Sequence, residues 1–103
     1  MKYVTIRRSE WGRNYLLSEF RGKKMCCLGF CAARLGADEE SMRFRELPGD
    51  IDLDVEFEEE FGLDNWTCVK LAKVNDSYSK NRESKLNKIL SEVGAKVRFK
   101  FVD

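Results

Sequence analysis

The sequence predicts a single α+β domain over residues 1–103, in which a mostly antiparallel sheet of about four or five strands packs one face against about three helices. Three observations carry this expectation. Residues 50–58 and 96–102 each alternate charged and apolar side chains with period two, the pattern of a half-buried strand. Residues 80–93 set Leu86, Ile89, Leu90 and Val93 at i, i+3, i+4 and i+7, the stripe of an amphipathic helix. A chain of 103 residues that is 43% hydrophobic supplies one ordinary core, and it contains no repeat, linker or low-complexity tract.

Taken in order, residues 2–7 have strand propensity in Tyr3, Val4, Thr5 and Ile6. Residues 14–20 read as a second strand, and Arg21, Gly22 and Lys23 as a turn into residues 24–27, so an N-terminal hairpin is expected. Residues 28–35 contain helix formers and end at Gly36, a left-handed terminator. A short helix follows, with Asp38 as its N-cap and Glu39 and Glu40 in its first turn, where carboxylates suit the helix dipole. Pro48 and Gly49 break the chain before the strand of residues 50–58. Residues 65–74 form a helix after Asp64, with a polar break at Asn75, Asp76 and Ser77. The helix of residues 80–93 starts at Ser79 and stops at Gly94, and leads into the last strand.

The net charge of +1 conceals an uneven distribution. Residues 37–66 carry twelve acidic and two basic side chains, whereas the flanking segments are both basic. A chain bound to DNA would show a basic footprint overall, so direct DNA binding is not expected. The longest uncharged run, residues 25–33, is far shorter than the roughly 20 residues that span a bilayer, so no membrane association is expected. Four cysteines without an apolar export segment point to a reducing cytoplasm and free thiols.

Asp50, Asp52, Asp54, Glu56, Glu58, Glu59 and Glu60 form the first candidate contact surface, for a basic partner. As a strand, this segment sets like charges about 6.6 Å apart, a spacing comparable with phosphates along a backbone. Its bland role is cross-strand pairing with Lys96, Arg98 and Lys100. A calcium loop is excluded, because its sixth and twelfth positions hold Val55 and Phe61 in place of Gly and Glu. A second candidate set, Arg7, Arg8, Arg13, Lys96, Arg98 and Lys100, converges on a nucleotide phosphate if the terminal strands are adjacent.

Cys26, Cys27, Cys31 and Cys68 read first as small buried hydrophobes, and as a zinc set only weakly, because adjacent cysteines diverge. The chain has no histidine to act as a base for a thiol, and lacks phosphate-loop, GxSxG and HExxH motifs. No catalytic residue, cofactor or resident metal is expected. Trp11 and Trp66 suit either a core or a binding hot spot.

The segments KMCCLGFCAARLG and DEE, then LAKVND, EVG and the closing VRFKFVD, resemble a loose family of small bacteriophage and prophage proteins. The similarity covers roughly residues 24–40 and 68–102, and Cys-Cys-Leu-Gly-Phe is its most specific part. The family has no established activity. The resemblance implies a non-enzymatic accessory protein in the cytoplasm of the bacterial host, one that binds and inhibits a host macromolecule such as an anti-phage defence factor. The alternative is a protein that sequesters a cyclic nucleotide or another phosphate ligand on its basic terminal strands. The sequence leaves the oligomeric state open.

Overall fold

The chain begins with β1 (Lys2–Arg7) and ends with β2 (Val97–Val102), and in the computed structural model, which describes residues 1–19 and 22–103, these strands pair in parallel. Lys2 stands beside Val97 and Arg7 beside Val102. Among the described residues this pair is the whole sheet. The expected mostly antiparallel sheet of four or five strands is therefore corrected. The domain is α+β, and its described residues form one two-stranded parallel sheet and five α-helices: α1 (Cys27–Arg34), α2 (Glu39–Met42), α3 (Asp54–Phe61), α4 (Asn65–Asp76) and α5 (Arg82–Glu92). Parallel neighbours need a long crossover. Here the entire middle of the chain provides it.

The largest correction falls on residues 50–58. Instead of a strand, Pro48–Ile51 makes a 3-10 turn, Asp52 takes a left-handed conformation, and α3 begins at Asp54. Two physical terms defeat the period-two pattern. Glu is a good helix former, whereas Asp and Glu are depleted in strands. In addition, Phe57 and Phe61, four apart, bury completely on one helical face and meet edge to face at 5.5 Å. A strand would have hidden Val55, which is instead 56% exposed. Gly62, at φ +70°, ends the helix.

The expected hairpin of residues 14–20 and 24–27 is also corrected. What remains is one antiparallel bridge between Ser18 and Lys24, with N–H···O=C distances of 2.7 and 2.8 Å. Leu16 and Leu17 instead donate to the carbonyls of Arg45 and Met42, which holds this segment against the exit of α2. Phe20 and Arg21, the end of the expected strand and the start of its turn, lie outside the described residues.

Elsewhere, local chemistry fixes the elements. Asp38 and Asp64 cap α2 and α4, accepting from the N–H of Ser41 at 2.7 Å and Thr67 at 2.8 Å. The Ser41 N–H holds the Asp38 carboxyl below the usual range, and hydrogen bonds from the Thr67 side chain and N–H do the same for Asp64. α4 continues through Asn75 and Asp76, where a break was expected, and α5 starts at Arg82, after Ser79. Val4 and Ile6 of β1, Val97 and Phe99 of β2, most of α1, and Leu86 and Leu90 of α5 join one buried cluster. The opposite side of the sheet is left to solvent.

Candidate functional site

On α3 the acidic residues wrap around the helix instead of lining a straight row. Asp52, just before the helix, and Asp54, Glu56, Glu58 and Glu59 on it are exposed, and none makes an ion pair among the described residues. The other two are used within the chain. Asp50 accepts from the N–H of Leu47 at 3.0 Å, and Glu60 is paired with Lys2, which holds its carboxyl low. The strand geometry that would have tracked phosphates is absent, and so is pairing with the C-terminal strand, whose neighbour is β1. Glu58, Glu59 and Glu60 occupy the last turn of α3, which contains no basic residue. That is the end where the helix dipole disfavours carboxylates. Asp54 with Glu58, and Glu56 with Glu60, are also like-charge pairs four apart. Among these charges, Val55 and, on the next helix, Trp66 at 66% exposure are open to solvent.

The second candidate set is only partly brought together. The register sets Tyr3 beside Arg98, Thr5 beside Lys100 and Arg7 beside Val102, and all six side chains lie on the solvent side of the sheet. Arg7, Arg98 and Lys100 therefore share a face. Arg98 turns its guanidinium onto the carbonyls of Ala95 and Val97, Arg7 has only Glu10 at 3.8 Å, and Lys100 has no charged partner among the described residues. The remaining three are placed elsewhere. Arg8 is held by Glu83 at 2.8 Å and Asp103 at 3.0 Å, and its hydrogen bond draws the Glu83 carboxyl below its usual range. Arg13 lies over the Tyr78 ring at 4.9 Å. Lys96 borders an open groove of about 530 Å³, with Lys2, Glu59 and Glu60, where the acidic and basic surfaces meet.

The four cysteines are free and buried. Burial pushes Cys26 and Cys68 up to about 12, and Cys27 and Cys31 well above the ordinary thiol value. Among the described residues no group of three or more Cys, Asp or Glu side chains is arranged to hold a metal. Such thiols should resist alkylation. At pH 8, iodoacetamide is expected to leave the native chain unmodified and to label all four cysteines after denaturation, as read by intact mass. Rapid labelling of a folded sample would show that at least one is accessible.

A network that the sequence reading missed sits at Asn75, which is fully buried. Its Oδ1 accepts from Trp11 Nε1 at 2.7 Å and from the N–H of Cys27 at 2.9 Å. Its Nδ2 donates to the carbonyl of Gly12 at 3.0 Å and to Asp76 at 3.1 Å. Arg82 donates to its backbone carbonyl and stacks on the Trp11 ring at 4.0 Å, so Trp11 is a packing residue. The available signal was spacing: Asn75 follows Cys68 and Leu71 on the buried stripe of α4.

No helix among the described residues is long and apolar enough to cross a membrane. No protein-family model, curated protein or solved structure matches the chain.

Proposed function

We propose that this chain is a non-enzymatic phage accessory protein that binds and inhibits a host macromolecule, with α3 presenting carboxylates to a cationic surface of its target. The observation that carries the reading is energetic. Five exposed carboxylates lack an ion pair among the described residues, and three glutamates crowd the helix end that disfavours them. A sequence under selection for stability alone would place Lys or Arg in that last turn. What singles this surface out is that its unpaired charges are clustered and all of one sign, the arrangement that projects a field to an oppositely charged partner. Long-range attraction from such a surface accelerates encounter with a basic partner. The phage context comes from the resemblance of the Cys-Cys-Leu-Gly-Phe segment.

The test uses Glu58→Lys/Glu59→Lys. This variant is expected to melt at a higher temperature than the parent and to capture at least tenfold less partner from a host lysate. Parental capture should itself fall between low and high salt. Undiminished capture by the variant would remove α3 as the contact. A lower melting temperature would refute the energetic argument.

A further inference from the structure

We propose that the outer edge of β1 is a docking site for an extended, acidic segment of another protein, which adds to the sheet as a third strand. The inference comes from the hydrogen-bonding inventory of the two sheet edges and does not depend on α3.

In a parallel ladder, each residue turns its N–H and C=O to the same side, and successive residues alternate. Lys2 donates to the carbonyl of Lys96 at 3.0 Å, so Lys2, Val4 and Ile6 face β2, while Tyr3 and Thr5 face away. On β2, the outward residues are Val97, Phe99 and Phe101. That edge is closed by a side chain: the N–H of Phe99 donates to Asn87 Oδ1 at 2.8 Å, and its carbonyl accepts from Asn87 Nδ2 at 3.0 Å. The Val97 carbonyl accepts from Arg98. The edge of β1 has no such cover. Among the described residues, no group hydrogen-bonds to the N–H or C=O of Tyr3 or Thr5, and both residues are exposed. One edge is capped and the other is left as a template for strand addition.

The charge of the adjoining face selects the occupant. A third strand beside Tyr3 and Thr5 would place alternate side chains next to Arg7, which has Glu10 at 3.8 Å, on the face that also carries Arg98 and Lys100 one strand away. Opposite charges at these positions stabilise and like charges destabilise. A second copy fits poorly, because pairing β1 antiparallel with itself through Tyr3 and Thr5 would join two faces that each carry Arg7, Arg98 and Lys100. A small phosphate ligand lacks the concavity that such ligands need, because Arg98 and Lys100 stand on an open face.

The probe is a blocked peptide of about ten residues alternating Glu and Val, added to the full chain and followed by amide exchange and titration. The amides of Tyr3 and Thr5 are expected to exchange at least tenfold more slowly with the peptide present. Affinity should fall at least tenfold in Arg98→Glu/Lys100→Glu, and also in Thr5→Pro, which removes an outward N–H at an edge where proline is tolerated. Asn87→Ala, on the other edge, should leave this binding unchanged. No added protection in the parent protein would overturn the proposal whether or not Thr5→Pro folds. So would equal protection by a peptide alternating Lys and Val, or a nucleotide that perturbs these residues when the acidic peptide does not.

Discussion

Asn75→Ala is expected to lower the melting temperature by about 12–24 °C. The change leaves the indole N–H of Trp11, the N–H of Cys27 and the carbonyl of Gly12 without their partner at a site with no access to solvent at Asn75. A buried polar group stripped of its partner costs about 1–3 kcal/mol; the Cys27 N–H bears this in full and the part-buried Trp11 and Gly12 groups bear less, for about 3 kcal/mol together. In a domain of this size each kcal/mol moves the midpoint by about 4–8 °C. The loss is a large share of the roughly 5–15 kcal/mol that holds such a domain folded. Asn75→Asp should rescue little. It keeps the acceptor for Trp11 and Cys27 but replaces the donor to Gly12 with a second carboxylate beside Asp76. Thermal denaturation followed by circular dichroism reads both variants. A midpoint within a few degrees of the parent for Asn75→Ala would show that this network does not tie the N-terminal segment to α1 and α4.

Gly29→Ala should be the second severe change, although helix propensity argues the other way. Gly29 lies inside α1, where alanine is favoured over glycine by about 1 kcal/mol. A Cβ there, however, would sit 2.0 Å from the carbonyl oxygen of Leu16 and 2.9 Å from its carbonyl carbon. Both are backbone atoms, and Leu16 is fixed by its N–H bond to the carbonyl of Arg45 at 2.6 Å. Neither side can yield by rotating a side chain. Overpacking typically costs about 1–3 kcal/mol and rises when backbone must move. The steric term wins, and a fall of about 8–16 °C is expected. Gly49→Ala is the control, because a Cβ there meets nothing within 4 Å and its φ is not positive. It should stay within about 0.5 kcal/mol of the parent. If Gly29→Ala melts with or above Gly49→Ala, the close approach of α1 to residue 16 is wrong.

These two positions also give the Cys-Cys-Leu-Gly-Phe segment a physical reading. Its glycine admits the Leu16 backbone, its cysteines are small side chains in a core, and the N–H of Cys27 is held by Asn75. The most distinctive run of the sequence is a packing motif. The exposed charge lies elsewhere, on α3 and on the open face of the sheet.

How much of this was legible in the sequence depended on how local the determining forces were. Asp38 and Asp64 act on an N–H three residues away, and Gly36, Gly62 and Gly94 supply positive φ where helices stop, so caps and ends can be read from neighbours in the chain. The stripe of α5 and the alternation of β2 each mark one buried face, and those elements form. The uneven charge is likewise a property of the sequence alone. Tertiary structure decided what local pattern left ambiguous. Residues 50–58 fit a strand by alternation, but Phe61, outside that window, pairs with Phe57 only on a helix, and burying two rings outweighs the pattern. It also made the first and last strands parallel neighbours, and it filled a buried position with Asn75, whose partners at positions 11, 12 and 27 are remote in sequence. Side-chain periodicity records which face is hidden. Only the folded chain determines which distant segment hides it, because burial of apolar surface is non-directional and carries no partner's address.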